Sequence, residues 1–227
     1  MQVGSSQTLV KILNFNHVNG KDIIEYDDGS RFVGQARNKL KEGKGRIDYP
    51  NGDYYEGEFK NDNMEGYGRY VTTDLEYEGQ WRNGLQNGFG KETWQDGAVY
   101  DGDFIDGNKN GKGHYKWADG TSYKGDWKDG NIHGNGIFHF KNGAVYDGEW
   151  IDGRRNGRGK FKNHKGQYYE GEFVNDKKEG YGTLIFANKQ KYIGEFKQNR
   201  PHGNGTLITP DGKSTKGIWD MGQMINP

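Results

Sequence analysis

The sequence predicts an all-β protein: an elongated, twisted, single-layer antiparallel sheet of tandem β-hairpins, each about 23 residues long, with an aromatic-lined groove. Three observations predict it. Glycines recur in fixed phase along nearly the whole chain. Aromatic residues alternate with glycine and charge at period two, which is the periodicity of a strand. Tripeptides ending in glycine, such as Pro50-Asn51-Gly52 and Pro210-Asp211-Gly212, punctuate the pattern where hairpin turns belong.

The repeat units open at Phe32, Tyr55, Tyr77, Tyr100, Tyr123, Tyr146, Tyr169, Tyr192 and Thr215, at steps of 23 residues with a single step of 22. Counting each unit from its opening residue, position 3 is always glycine, from Gly34 to Gly217. Positions 12 and 14 are glycine in all eight complete units, for example Gly157 and Gly159. With Gly20 placed in a partial leading unit, Gly4 alone of the 39 glycines falls outside the phase. All six tryptophans fall at position 5 or 18.

Each element follows from these positions. Strand A covers positions 1 to 5, as in Tyr146-Asp147-Gly148-Glu149-Trp150, and strand B covers positions 12 to 18. The link from B to the next A suits a type I turn closed by a left-handed glycine, which pairs position 16 with the next opening residue and 14 with the next position 3. A six-residue loop from A to B is expected to pair 5 with 12, 3 with 14 and 1 with 16. In that register Trp150 would lie across from Gly157 and Gly148 across from Gly159, and these glycines are expected to be a floor on which the position-1 and position-5 rings, such as Tyr146 and Trp150, lie flat. About 17 or 18 strands result. Acidic residues at positions 2 and 4 and basic residues at 13, 15 and 17 fall on the opposite face, with Asp147 beside Lys160, Glu149 beside Arg158 and Glu78 beside Lys91. Departures occur at Thr72-Thr73-Asp74-Leu75, at Ala187-Asn188-Lys189 and at Thr215.

The pattern YxGxW…GxG…DG at this period resembles the MORN family, named for membrane occupation and recognition nexus, and is similar to the adaptor-type arrays of radial spoke heads. The resemblance runs from roughly Gly20 to Gly222. The expected organisation is an N-terminal tail or cap at residues 1–16, the array at 17–222 with about eight full repeats and partial terminal ones, and a tail at 223–227.

Composition excludes several function classes. Hydrophobic residues make up 30% and aromatics 14%, so the core is built of rings, not of a thick aliphatic layer, and disordered chains are poor in aromatics. The 32 basic and 32 acidic residues cancel, which argues against nucleic acid as a partner. The chain has no cysteine, so thiol nucleophiles and Cys-ligated zinc are excluded. No apolar run is long enough for a helical membrane span, and the opening MQVGSSQTLVKILNFN does not read as a signal peptide. No glycine loop has phosphate-loop spacing, DGDFIDG lacks the distal Glu of an EF-hand, and the six histidines form no metal motif. No enzymatic activity, cofactor or metal is expected.

Three groups of residues are candidates for binding. Phe59, Trp81, Trp94, Phe104, Trp117, Trp127, Phe140, Trp150, Phe173 and Phe196 are expected to line the groove and to hold a peptide or helix with apolar anchors. Arg154, Arg155, Arg158, Lys160, Lys162 and Lys165 form a basic patch suited to anionic lipid or an acidic partner. Tyr181, Ile185, Ile193, Ile208 and Ile218 turn the polar face apolar near the C-terminal end and suit an interface, including self-association into a homo-oligomer. The expected function is a non-catalytic scaffold or adaptor. The resemblance implies cytoskeletal assemblies, including ciliary axonemes and radial spoke heads, and hence a cytoplasmic, cytoskeletal or ciliary location. Two alternatives stand beside it: a peripheral membrane tether using the basic patch, and a regulatory partner of an enzyme acting in trans.

Overall fold

The computed structural model describes residues 10–226. The chain divides into two compact units, Met1–Ala118 and Asp119–Pro227. The first contains β1 (Ile12–Val18), β2 (Lys21–Tyr26), β3 (Arg31–Arg37), β4 (Leu40–Asp48), β5 (Tyr54–Lys60), β6 (Asn63–Val71), β7 (Leu75–Arg82), β8 (Leu85–Trp94), β9 (Val99–Ile105) and β10 (Asn108–Lys116). The second contains β11 (Ser122–Lys128), β12 (Asn131–His139), β13 (Val145–Ile151), β14 (Arg154–Lys162), β15 (Tyr168–Val174), β16 (Lys177–Ile185), β17 (Lys191–Lys197), β18 (Arg200–Ile208), β19 (Ser214–Asp220) and β20 (Gln223–Asn226). Within each unit every strand pairs antiparallel with its neighbours in the chain, as β13 does with β12 and β14. The fold is all-β, a meander of tandem hairpins. Pairing extends past both expected ends of the array, because β1 includes residues expected in the tail or cap, and β20 includes residues 223–226. The rest of that expected N-terminal segment, residues 1–9, lies outside the described residues.

The link between repeats takes the expected form. Phe140 N–H donates to Ala144 O at 2.9 Å, Gly143 N–H donates back to Phe140 O at 2.9 Å, and Gly143 is left-handed at φ 81°. The register then pairs Phe161 with Tyr169 and Gly159 with Gly171. The departures keep this register by substitution: Lys189 takes the left-handed position at φ 70°, and the Thr72 hydroxyl accepts the Leu75 N–H at 2.9 Å in the shortened link.

The connection inside each repeat differs from expectation. It is not a six-residue loop but a two-residue turn, with both residues left-handed, as in Asp152 (φ 47°) and Gly153 (φ 75°). Such a turn matches the twist of the flanking strands, and the Asn-Gly and Asp-Gly pairs at these positions favour it. Ile151 therefore pairs with Arg154 and Trp150 with Arg155, while Gly148 still pairs with Gly159. The slack is taken up in strand B as a bulge at residues 156–158, centred on Gly157 at φ 71°. Position 5 thus pairs with position 10 of its own repeat. It meets position 12 only across the link, as Gly134 meets Trp150.

The bulge gives the position-4 side chain a local task. Glu149 Oε1 accepts the Arg158 N–H at 2.7 Å, Asp126 Oδ2 accepts the Asn135 N–H at 2.8 Å, and Gln80 Oε1 accepts the Phe89 N–H at 2.7 Å. The expected Glu149–Arg158 neighbourhood is therefore a carboxylate on a backbone amide. Asp147 with Lys160 and Glu78 with Lys91 are cross-strand pairs as expected.

The core is a file of tyrosines. Tyr55, Tyr77 and Tyr100 in the first unit and Tyr123, Tyr146, Tyr169 and Tyr192 in the second are each 0% exposed. Here the expectation of rings lying on a glycine floor holds for the opening tyrosine and is corrected for position 5. The opening tyrosine lies on the glycines: a Cβ on Gly148 would stand 2.7 Å from the Tyr146 hydroxyl oxygen, and one on Gly159 would stand 2.6 Å from its Cζ. The hydroxyl ends over the bulge and donates to the position-4 carbonyl, Tyr146 to Glu149 O at 3.0 Å and Tyr55 to Glu58 O at 2.9 Å. Position-5 rings stand edge-on between consecutive tyrosines, as Phe173 does at 5.1 Å from Tyr146 and 5.2 Å from Tyr169. The Trp150 indole N–H donates to Gly136 O of the preceding repeat at 3.2 Å.

Candidate binding face

The ten residues expected to line the groove separate into two sets. Phe59, Trp81, Phe104, Trp127, Trp150, Phe173 and Phe196 are buried at 8% exposure or less. They are core and line no open surface: tyrosines flank them, and the position-10 cations Lys109 and Arg155 lie over Phe104 and Phe173. Trp94, Trp117 and Phe140 are half-buried. With the position-16 rings these form the open aromatic surface. In the first unit Trp94 and Tyr115 lie 5.3 Å apart, Tyr115 and Trp117 4.4 Å, and Tyr49 and Tyr70 6.4 Å. The Tyr70 hydroxyl donates to Asp53 Oδ2 at 3.3 Å, and burial raises the Tyr49 and Tyr70 hydroxyls above the usual tyrosine range. In the second unit Phe138 lies 4.6 Å from Phe140, which meets Phe161 edge-on at 6.2 Å.

The two-residue turn places position 10 on this same face, and four of those residues are cations over rings. Lys41 Nζ lies 5.0 Å from the Tyr26 ring centre and pairs with Asp62 at 3.2 Å. Lys109 Nζ lies 4.9 Å from both the Trp94 and Tyr100 rings and pairs with the buried Glu92 at 2.6 Å. The Arg155 guanidinium lies 5.5 Å from Phe161 and Phe173, and its Nε pairs with Asp176 at 3.1 Å. Lys178 Nζ lies 4.9 Å from the Tyr169 ring. Desolvation lowers the Lys178 pKa, with a further push from the neighbouring Arg155 charge. Sequence reasoning missed this set, although a cation two residues before the position-12 glycine is a readable signal.

The basic patch is divided by the fold. Arg155 belongs to the aromatic face. Arg158 and Lys160 line a shallow depression of about 440 Å³ on the opposite face, together with Asp147, Glu170 and Glu172. Lys160 Nζ stands 3.9 Å from Glu170, so carboxylates are interleaved among these cations. Arg154, Lys162 and Lys165 are exposed. The C-terminal apolar set is partly assembled. Tyr181, 59% exposed, and Ile218, 45% exposed, line one depression with Ile193, while Ile185 and Ile208 both stand opposite Lys191.

The sequence matches the MORN repeat eight times in tandem, at residues 32–54, 55–74, 77–99, 100–122, 123–145, 146–168, 169–191 and 192–214. No curated protein matches it. Among solved structures, it is similar to the SAS-4 (dCPAP) TCP domain of Drosophila melanogaster, solved in complex with a proline-rich motif of Ana2 (dSTIL), at 13% identity over 95% of this chain and 94% of that one, with a TM-score of 0.32. The TCP10 domain of Danio rerio CPAP gives 12% identity over 88% and 85%, with a TM-score of 0.29. Virginiamycin B lyase of Staphylococcus aureus gives 14% identity over 92% and 73%, with a TM-score of 0.18. Likenesses this distant carry no argument about what the chain binds or does.

Proposed function

The chain belongs to the MORN-repeat family, and on that premise we propose that it is a non-catalytic scaffold that holds protein segments against its half-exposed aromatic surface. One observation carries the reading. Each unit buries its position-1 and position-5 rings to 9% exposure or less yet leaves a second file of large rings only partly buried, namely Trp94, Tyr115 and Trp117 in one unit and Phe138, Phe140 and Phe161 in the other. Contiguous apolar surface of this kind marks partner binding, and aromatic side chains are the usual anchors. Among the described residues no group of His, Asp and Glu could hold a metal ion. The family resemblance supports a cytoskeletal assembly, axonemal or spoke-like, as the place where such a scaffold works.

The test is capture of partners from cell extract by the tagged full chain, followed by identification after cross-linking. The variants are Trp94→Ser and Phe140→Ser, which alter half-exposed rings. Trp127 and Trp150 are unsuitable, because truncating a buried tryptophan costs about 3–5 kcal/mol and would confound binding with unfolding. The double variant is expected to keep its circular dichroism spectrum and lose the captured proteins, while the tagged wild-type chain decorates cytoskeletal structures in cells. A folded double variant that retains every partner would overturn the aromatic-surface reading, and a purely diffuse tagged chain would overturn the cytoskeletal assignment.

A further inference from the structure

The four cations on the aromatic face are not equivalent, and the difference is written in one residue of the following repeat. Consecutive repeats are tied at this point by the backbone. The position-8 N–H donates to the position-10 carbonyl of the repeat before it, from Asp62 to Lys41 O, from Asp176 to Arg155 O and from Asn199 to Lys178 O, each at 3.0 Å. The position-8 side chain returns the bond: Asp62, Asp176 and Asn199 each accept the corresponding position-10 N–H through Oδ1. Where position 8 is aspartate, the same carboxylate also neutralises the cation, Asp62 for Lys41 and Asp176 for Arg155. After Lys109 the position-8 residue is Gly130, and Glu92 supplies the carboxylate instead. After Lys178 it is Asn199, which keeps the backbone bond and brings no charge. Among the described residues Lys178 Nζ has neither an ion pair nor a hydrogen bond, and Arg155, whose charge it feels, is already committed to Asp176.

We propose that Lys178 is a specificity site, in which the missing carboxylate is supplied by an acidic side chain of the bound protein segment, next to an apolar residue seated on the half-exposed rings of the second unit. The inference rests on the scaffold reading above and adds the chemistry of the partner. A half-buried ammonium whose one compensation is a ring face lacks a charged partner, so a carboxylate arriving there gains a charge-assisted bond in a site poor in competing water. The surroundings favour a carboxylate with an apolar body: Tyr169 lies under Nζ, Leu184 is buried on the same strand as Lys178, and Phe186, two residues further on, is half-exposed.

The test uses the full chain with its lysine ε-carbons isotopically labelled for NMR. The probe is 3-phenylpropionate, a minimal carboxylate on an aromatic body. Its neutral amide, 3-phenylpropionamide, and inorganic phosphate are the comparisons. Phenylpropionate is expected to shift the Lys178 resonance saturably and to bind roughly tenfold more tightly than the amide. Two variants guard the result. Lys178→Gln should remove the preference for acid over amide. Asn199→Asp supplies the internal carboxylate used at Lys41 and Arg155, should leave the fold intact, and should weaken phenylpropionate roughly tenfold. Equal binding of acid and amide, tighter binding of phosphate, an unaffected Asn199→Asp variant, or no response at Lys178 would each overturn the inference. Those failures would leave partner capture by Trp94 and Phe140 untouched, so they are distinguishable from failure of the scaffold reading.

Discussion

At Gly159 a methyl group would collide with the Tyr146 ring, while at Gly153 nothing lies within 4 Å of the same added atom. These two glycines stand six residues apart in one repeat and serve different ends. Gly159 has ordinary backbone angles and is small so that a ring can lie on it. Gly153 is left-handed at φ 75° with open space where a Cβ would stand, and other repeats place Lys39, Asp62, Asp176 or Asn199 at the same position. Gly159→Ala is therefore expected to cost about 1–3 kcal/mol through overpacking. Gly153→Ala should cost about 1 kcal/mol through backbone strain alone. Urea unfolding of the two variants checks the order, and an equal or reversed order would mean that the tyrosine can shift off its glycine bed at little cost.

At the scale of the hairpin, the position-4 side chain is an acceptor for the bulge before it is a charge. Its carboxylate or amide oxygen holds the N–H that follows the left-handed glycine, and Gln35 and Gln80 do this as well as Glu149 or Asp126. Glu149→Gln should thus fall within about 0.5 kcal/mol of wild type, since it keeps the acceptor. Glu149→Ala should cost about 1 kcal/mol, since it leaves the Arg158 amide unpaired in the bulge. Thermal unfolding separates the two. Matching losses in both variants would instead assign the residue to charge pairing, as the sequence alone suggests. Exposed pairs such as Lys160–Glu170, with both side chains 56% exposed, carry little of the stability.

Taken over the whole chain, the tyrosine file predicts how the protein fails in alkali. Burial raises the hydroxyls of Tyr55, Tyr77, Tyr100, Tyr123, Tyr146 and Tyr169 far above the ordinary tyrosine range, and pushes Tyr192 up to about 12. A folded-state value above the unfolded one means that the stability is fully present below about pH 10 and is lost as pH rises toward the folded values. Because these hydroxyls are spread through both units, each adds to the same slope. The part of the tyrosinate absorbance that belongs to these seven buried tyrosines is expected to change together with the far-UV circular dichroism above about pH 10, since these rings ionise only as the strands separate, whereas the exposed Tyr67 and Tyr181 are not tied to that step. Complete tyrosine ionisation near pH 10 with unchanged dichroism would show that the file is open to water. Since each strand pairs only with its chain neighbours, losses within a unit should add repeat by repeat.

Much of this was legible in the amino-acid sequence. The period fixes the repeats, alternation fixes the strands and the facing of Tyr146, Gly148 and Asp147, and the glycine-ended links fix the pairing of Phe161 with Tyr169. Those features are local, since each depends on neighbours in the chain and on the two-residue period of a strand. The repeat spacing did not decide how strand A returns to strand B, although Asp152-Gly153 favours a two-residue turn. A six-residue loop and a two-residue turn followed by a bulge both pair Gly148 with Gly159, so spacing cannot tell them apart. Only the tertiary structure places the slack in the bulge. That choice turns Glu149 onto a backbone amide, buries Trp150 against two tyrosines and swings Arg155 and Lys178 onto the aromatic face. The surface left for a partner is therefore set by where the chain stores its surplus residues: Asp152-Gly153 favours the short turn locally, and the Glu149 carboxylate and Tyr146 hydroxyl hold the bulge that results once the strands are paired.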